Sequence, residues 1–348
     1  MAETTRVSTT SIWRFTAKRL TQGTLLAVGV TLVVFLLTSV VPSNPAIANL
    51  GERAASDSEA VAAYNAKHGL DQPLPVQYFT YVAGLLRGDL GTSQRTNRPV
   101  IEDLKEFFPT TIELACASVI IALIFGVSLG LIAALRKGGW VDRAVRLASM
   151  AGISVPSFGL AVLVLYLFYF VLRIAPGPGQ LDPGITAPPR ITGFLIIDSV
   201  IAGDWAAFGS TASHLVLPAV VLAIPTFGLI VRLTRTAVLE VLSEDYVLAA
   251  RAKGLPTRYI ALRHVLRSAV PSIITAGSLA FGSLLSGAVL VEIVFSWPGV
   301  GRYAYTSSVS LDLPAIMGVT LLIALVYITV NLIADLLIVL FDRRAGVS

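Results

Sequence analysis

The sequence contains few charged residues and a single cysteine. Only 14% of its 348 residues are Asp, Glu, Lys or Arg, against roughly 25% in a soluble domain, which excludes an ordinary soluble fold. Because Cys116 is alone, no disulfide can form within the chain, and we expect a small buried side chain rather than a redox group. The histidines His68, His214 and His264 fall in different loops or loop edges, which argues against a shared metal site.

The sequence also lacks the motifs of catalysis. It has no Gly-rich loop ending in Gly-Lys-Ser/Thr, no zinc-ligand spacing and no nucleophile elbow. We therefore expect a chain that does not hydrolyse ATP by itself and carries no metal or other cofactor. No internal repeat is evident, which argues against an inverted-repeat secondary transporter.

Long apolar runs, in contrast, are abundant. Hydrophobic residues make up 55% of the chain, and a helix of about 20 apolar residues crosses the hydrocarbon core of a bilayer. Six segments are long and apolar enough to do so: 20–41, 111–135, 152–172, 214–231, 269–291 and 315–341. The first is too long for a removable signal peptide and lacks its cleavage site. The sequence thus predicts an all-α polytopic membrane protein with six transmembrane helices.

Basic residues are concentrated in four parts of the chain. They lie in 1–19, 136–150, 232–268 and 342–348. The loops between them, 173–213 and 292–314, contain three arginines and no lysine. Because the cytoplasmic loops of membrane proteins carry an excess of Lys and Arg, this pattern predicts both termini and the loop 232–268 in the cytoplasm. The net charge of +5 follows from this topology, so we expect no nucleic-acid partner.

These features divide the chain into regions. We expect a cytoplasmic N-terminal arm at 1–19, a first transmembrane helix at 20–41, an extracytoplasmic region at 42–110, a five-helix core at 111–341 with an inner loop at about 240–268, and a cytoplasmic tail at 342–348. Within the core, Pro156 and Pro225 predict kinks in the third and fourth spans. Gly126 and Gly130 allow close helix approach, either inside the chain or against a second subunit.

The stretch 243–255 is a short charged run between apolar segments. Ser243 predicts an N-cap, and Gly254 predicts a left-handed residue just after the last turn. The charges between them follow the helix dipole, acids first and bases last: Glu244, Asp245, Arg251 and Lys253. Such capping indicates a compact helix of about 11 residues, or about 16 Å, that another protein contacts. An interfacial helix that holds lipid head groups with the arginines 258, 263 and 267 is the alternative, and the residues alone favour neither.

This stretch resembles the cytoplasmic EAA loop of ABC importer permeases. The likeness is to the dipeptide, oligopeptide and nickel branch, where a Tyr-Val…Ala-Arg-Ala-Lys-Gly-Leu run precedes an Arg-His and a Pro, as in 246–271 here. Four further stretches resemble that branch's first permease subunit, the one with a long outer loop, and occur in the same order: 69–74 (Gly-Leu-Asp-Gln-Pro-Leu), 88–93 (Gly-Asp-Leu-Gly-Thr-Ser), 154–158 (Ser-Val-Pro-Ser-Phe) and 292–302 (Glu-Ile-Val-Phe-Ser-Trp-Pro-Gly-Val-Gly-Arg). Two places depart from the branch: 42–45 is Pro-Ser-Asn-Pro rather than Pro-Gly-Asp-Pro, and 342–344 is Asp-Arg-Arg rather than Asp-Pro-Arg.

The resemblance implies a type I ABC importer permease fold and a subunit that carries peptides delivered by a solute-binding protein. It implies a second homologous permease, one or two ATPases that bind ATP and Mg, and an extracytoplasmic peptide-binding protein or lipoprotein as partners, besides membrane lipid. Contact with the ATPase is expected from Glu244, Asp245, Tyr246, Ala249, Ala250, Arg251, Ala252, Lys253 and Gly254. Nickel or another small solute is the alternative cargo, and an ion-coupled secondary transporter or a membrane scaffold are alternatives of other classes.

Ionisable residues inside the spans are few. Glu113 lies near the outer end of the second span, and Asp335 lies in the sixth near Asn331. Charges at membrane depth usually face protein or water, so these residues are candidates for a polar pathway or for helix packing, and packing is favoured for Asp335. After the fifth span, 296–301 predicts a turn, and its aromatic neighbours fit an interfacial belt: Phe295, Trp297, Tyr303 and Tyr305.

Overall fold

The structure, a computed structural model, describes residues 9–40, 59, 61–63, 66 and 71–341, with the side chains of 9–16 and 40 excepted. Expectations for the Pro-Ser-Asn-Pro stretch at 42–45, for His68, for Gly69 and for the tail 342–348 lie outside these residues. Within them the chain is helical, and the β-structure is one isolated antiparallel bridge between Thr92 and Pro99. The predicted all-α class is confirmed.

The helices are numbered here in chain order. They are α1 (Thr9–Val40), α2 (Leu74–Leu86), α3 (Val100–Leu135), α4 (Trp140–Ser154), α5 (Ser157–Val171), α6 (Leu195–Ala202), α7 (Trp205–Leu242), α8 (Asp245–Ala252), α9 (Thr257–Val294), α10 (Val300–Val309) and α11 (Leu313–Phe341). Five of them are long and apolar enough to cross a membrane: α1, α3, α7, α9 and α11. The pair α4 and α5 gives a sixth crossing if it is counted as one broken span. The described chain is thus a polytopic membrane protein.

The third span is not the single helix expected at 152–172. The chain breaks between α4 and α5, and the two helices are bent by 98°. Pro156 is the N-cap of α5 with an extended backbone, and Val155 before it is also extended, because the residue preceding a proline is disfavoured in the helical conformation. Pro156 therefore ends one helix and starts another.

The fourth span is longer than the expected 214–231. Helix α7 has 38 residues and continues through both Pro218 and Pro225, which makes it about 57 Å long. The hydropathy pattern marked only its apolar middle, whereas the polar residues at both ends remain helical. The start of the basic loop expected at 232–268 is accordingly the end of α7.

The described residues form two compact units. The first comprises 9–21, 109–302 and 327–341. In this unit α7 is the most buried of the spanning helices, with 61% of its most apolar stretch buried inside the protein. Glycines allow the neighbouring helices to approach it closely. A Cβ on Gly126 would lie 2.7 Å from the Ile230 side chain, and one on Gly130 would lie 2.9 Å from the Val231 carbonyl oxygen. The Gly126 and Gly130 pair therefore packs within this chain.

The second unit comprises 22–40, 71–108 and 303–326 with the described residues between 59 and 66. Its polar centre is Asp312, which is buried before α11 and accepts hydrogen bonds from the Ser93 hydroxyl at 2.6 Å and the Arg95 N–H at 3.2 Å. A second buried acid, Asp103, accepts from the Tyr303 hydroxyl at 3.0 Å, and burial of that hydroxyl raises the pKa of Tyr303. The bond from Ser93 fixes the end of the Gly-Asp-Leu-Gly-Thr-Ser stretch.

Two expectations about burial are wrong. Phe295, Trp297 and Tyr303 are buried inside the protein, and only Tyr305 is half exposed, so these aromatics do not form an interfacial belt. Cys116 is exposed on the surface of α3 and is not a core side chain. A hydropathy pattern does not indicate whether such side chains face the protein interior or its surface.

Close packing on α7 predicts a sharp difference between two of its glycines. A Cβ on Gly228 would lie 2.5 Å from the Ser149 carbonyl oxygen, whereas one on Gly209 would meet nothing within 4 Å. Gly228→Ala should cost about 1–3 kcal/mol of stability through overpacking, and Gly209→Ala should be neutral or stabilising because alanine favours the helix. Thermal unfolding of the two purified variants in detergent measures this; equal melting temperatures would contradict the packing.

Candidate functional site in the loop between α7 and α9

The candidate site is the short helix α8 that follows α7. It has eight residues, Asp245–Ala252, and is about 12 Å long, shorter than expected. The N-cap is Glu244, whose side chain makes no capping hydrogen bond. The expectation for Ser243 is wrong: it is the C-cap of α7 and its hydroxyl donates to the Glu240 carbonyl at 2.7 Å. One serine cannot cap the start of α8 while it closes the preceding helix.

The end of α8 has the expected left-handed residue. Gly254 has φ +75°, and its N–H donates to the Arg251 carbonyl at 2.9 Å. The next N–H, of Leu255, reaches back to the Ala250 carbonyl at 3.3 Å. This pair of bonds is a Schellman motif, which satisfies carbonyl groups that the helix leaves free. The prediction for Gly254 is confirmed, and the motif makes α8 a separate, sharply ended unit.

One side of α8 packs against its own chain. Val247 and Ala250 are buried in an apolar cluster with Val238 of α7 and with Ile260 and Val265 of α9. Ala250 was expected to contact a partner, but its side chain already contacts this core. Burial of these side chains holds α8 to the ends of both long helices, because a fully buried valine contributes roughly 1.5–3 kcal/mol and an alanine methyl group about half as much or less.

The opposite side of α8 is exposed. Asp245, Leu248, Ala249 and Ala252 point away from the buried cluster, and we call these four residues the docking face. Leu248 is 50% exposed and is the largest apolar side chain of the docking face. Tyr246 lies on the flank, half exposed, and its hydroxyl donates to the Ser268 hydroxyl of α9 at 2.9 Å. The remaining expected residues, Arg251, Lys253, Glu244 and Gly254, are also exposed.

A buried ion pair fixes the end of α7 that leads to α8. Arg235 donates two hydrogen bonds to the Asp142 carboxylate of α4, one from Nε at 2.7 Å and one from Nη2 at 3.0 Å. Asp142 is 1% exposed and also accepts from the Gly138 N–H at 3.0 Å. A two-pronged Arg–carboxylate contact sets both distance and angle, so α4 and this end of α7 are held as one body.

The three polar candidates of the spans each have a partner within the first unit. Glu113 Oε1 accepts from the Ile196 N–H in the first turn of α6 at 2.9 Å, where a negative charge is favourable. Asp335 pairs with Arg19 at 2.9 Å, and Asn331 donates to the Tyr327 carbonyl of its own helix at 2.9 Å. Each of the three thus has a partner other than the remaining two candidates.

Sequence reasoning does not identify Glu292 as a structural residue, because the predicted fifth span ends at 291 and Glu292 is assigned to the outer loop. It is fully buried near the end of α9 and accepts hydrogen bonds from the Thr111 hydroxyl at 2.6 Å and the Arg302 N–H at 2.9 Å. The Thr111 oxygen also accepts from the Val300 N–H at 2.8 Å. The signal was present, since an acid at the end of an apolar run is costly unless it has partners.

Glu292 also explains the glycines of the turn that follows it. A Cβ on Gly299 would collide with the Glu292 carboxylate, and one on Gly301 would lie 2.7 Å from the Val289 Cα. Trp297 closes the same turn by donating from its indole N–H to the Thr110 carbonyl at 3.2 Å. The Ser-Trp-Pro-Gly-Val-Gly segment is therefore built around one buried carboxylate.

The buried acid Asp198 fixes the loop that precedes α6. The Asp198 carboxylate accepts hydrogen bonds from the Thr192 N–H and hydroxyl, each at 2.7 Å, and from the Gly193 N–H at 3.0 Å. Burial alone would raise its pKa, but these bonds outweigh it and hold the pKa of Asp198 below its usual value. The carboxylate is thus ionised at neutral pH, and the loop keeps these bonds.

An all-helical set of spans, with the short helix α8 between the long helices α7 and α9, defines the class of polytopic membrane proteins. Comparison with known proteins identifies the family. Residues 126–347 match the family "Binding-protein-dependent transport system inner membrane component". Residues 12–115 match the family that describes the N-terminal part of such membrane components. The chain belongs to this family and is a non-catalytic, multi-pass permease subunit of a binding-protein-dependent ABC transporter, a class that works with ATPase and binding-protein partners.

Two curated relatives are similar over nearly their whole length. The probable D,D-dipeptide transport system permease protein DdpB of Escherichia coli is 43% identical over 336 residues, which cover 97% of this chain and 98% of the relative. The di/tripeptide transport system permease protein DppB of Pseudomonas aeruginosa is 39% identical over 316 residues, 91% of this chain and 94% of the relative. The chain is therefore homologous to dipeptide permeases.

A solved structure supports the fold. The methionine ABC transporter MetNI in inward-facing conformations has a chain that matches with a TM-score of 0.51 at 17% identity, covering 67% of this chain and 94% of that one. At this identity the likeness concerns the fold alone, and it agrees with the permease fold expected from the resemblance.

The Glu292 network predicts that the Thr111 hydroxyl is needed for stability. Thr111→Val should destabilise the protein by about 1–3 kcal/mol, because it leaves a buried carboxylate oxygen without a donor at nearly constant volume. Thr111→Ser keeps the hydroxyl and should lose less. Thermal unfolding in detergent distinguishes the two, and a valine variant that melts with or above the serine variant would refute the role assigned to the hydroxyl.

Proposed function

We propose that this chain is one of two homologous permease subunits of an ATP-driven importer for di- and oligopeptides, and that α8 is the site at which an ATPase subunit binds. The partners would be the second permease, one or two ATPases that hold ATP and Mg, and an extracytoplasmic peptide-binding protein. Peptide as cargo is supported by two relatives whose names describe a D,D-dipeptide and a di/tripeptide permease. The observation that supports ATPase binding at α8 is the exposed, mainly apolar side of this helix.

The docking face has the properties of a small protein-binding surface. Ala249 and Ala252 leave space for a partner to approach the helix closely, and the exposed Leu248 supplies an apolar contact. The other side of α8 is anchored to α7 and α9 through Val247 and Ala250. A movement of the partner would therefore be transmitted to both long helices together, as in rigid-body switching.

Orientation follows from the same proposal. Both termini and the α8 loop would lie in the cytoplasm, as the distribution of basic residues predicts, and the Glu292 turn would lie on the outer side. The extracytoplasmic region at 42–110 and the turn at 296–301 would then face the binding protein.

A bulky residue on the docking face should separate docking from folding. Ala252→Trp should lower co-purification of the ATPase and dipeptide uptake by about tenfold or more, since a loss of about 1.4 kcal/mol is tenfold in affinity. The measurements are uptake of radiolabelled dipeptide in cells that lack other peptide importers and the amount of ATPase bound to the purified permease.

Ala206→Trp is the matched control, because Ala206 is exposed at the opposite end of α7. It should retain the ATPase. Full ATPase binding and uptake in Ala252→Trp would disprove docking at α8. Uptake of nickel rather than dipeptide by the unaltered complex would show that the proposed cargo is wrong, and it would not affect the proposal that the ATPase binds at α8.

Cysteine labelling tests the orientation. After Cys116→Ser removes the one native thiol, a cysteine at Lys253 should react with a membrane-impermeant maleimide in inside-out vesicles but not in intact cells. A cysteine at Ser308, exposed in α10, should show the reverse pattern. Labelling of position 253 in intact cells would overturn the inner placement of α8.

A further inference from the structure

The start of α9 carries a basic surface that docking does not explain. Arg258, Arg263 and Arg267 are exposed, and we call them the basic strip. None of the three forms an ion pair with a carboxylate of the described residues. The stretch 256–268 contains these three arginines and no acid, whereas 244–253 contains two acids and two bases. The two neighbouring surfaces thus differ in charge, one being neutral and the other strongly positive.

The basic strip borders the part of α9 that crosses the membrane. Residues 268–291 contain no charged side chain, and these 24 residues extend about 36 Å as a helix, enough to cross a hydrocarbon core of about 30 Å. Arg267 immediately precedes this stretch, and Arg263 lies about one helical turn before it. Their guanidinium groups are therefore expected at the level of the lipid head groups.

The side chains around the basic strip suit a membrane interface. Tyr259 and Leu262 are 42% and 51% exposed, although both are largely apolar. The Arg263 guanidinium lies 5.8 Å from the centre of the Tyr259 ring, within the range of a cation–π contact. An aromatic ring, an aliphatic side chain and arginines side by side are typical of segments at the boundary between water and lipid.

We propose that the basic strip binds the phosphate groups of anionic phospholipids in the inner leaflet, while the docking face of α8 binds the ATPase. The two surfaces then divide the loop between lipid and protein. An arginine near an anionic membrane surface strengthens association by about fivefold. The proposal depends on the inner placement of the loop, and it does not depend on docking at α8.

Photocrosslinking of lipid to the intact complex tests this. The complex is reconstituted in nanodiscs of phosphatidylcholine that contain either photoreactive phosphatidylglycerol or photoreactive phosphatidylcholine, and the labelled peptides are mapped by mass spectrometry. The peptide that contains 257–267 should be labelled at least fivefold more by the anionic lipid. Arg263→Gln with Arg267→Gln should lower the difference to what Arg258 alone supports, and the double lysine variant should retain it because it keeps the charge.

The matched control removes the same charge a short distance away. Arg251→Gln with Lys253→Gln should leave lipid labelling of 257–267 unchanged. Ala252→Trp, which removes the ATPase, should also leave it unchanged, so failure of docking and failure of lipid binding give different results. Equal labelling by the two lipids, or equal loss in the control, would overturn the proposal.

Discussion

Close contact of neighbouring helices with α7 is the constraint on which the first unit depends. Gly126 and Gly130 on α3 and Gly228 on α7 leave no room for a Cβ, so the helix backbones approach one another directly. In a membrane, lipid tails are as apolar as leucine side chains, and such dense contact replaces the hydrophobic drive that holds a soluble core. The buried Asp142–Arg235 pair then fixes the angle of the same assembly at one end of α7.

The two ends of the helix bundle are held by different interactions, hydrogen bonds at the Glu292 end and apolar packing at the α8 end. At the Glu292 end, one buried carboxylate satisfies a hydroxyl and backbone N–H groups and holds the turn tightly. At the α8 end, aliphatic burial of Val247 and Ala250 joins helices that could slide or tilt together. A hydrogen bond requires a narrow range of distance and angle, whereas apolar contacts are not directional. The contacts at the two ends thus differ in how strictly they set the geometry of the helices.

The all-helical class and the approximate positions of the spans could be predicted from the sequence, because apolar runs of sufficient length indicate membrane-crossing helices. The prediction for Gly254 was correct, since only glycine readily adopts the left-handed backbone conformation that commonly follows the last turn of a helix. Other features depend on tertiary contacts that no local pattern contains. Ala249 and Ala250 are identical residues side by side, yet Ile260 and Val265 bury one and leave the other exposed. Glu292 and the full length of α7 were missed because hydropathy ends a span at the first polar residue, although a paired polar residue can continue the helix.

The neutral composition of α8 has a consequence for handling the transporter. Attachments that rest on opposite charges weaken in concentrated salt, because ions shorten the reach of the electric field to a few ångströms. The residues 244–253 carry two acids and two bases, and the outward side is mainly aliphatic. A subunit held there would remain on washed membranes in strong brine and would be released instead by urea, which solvates apolar and peptide groups.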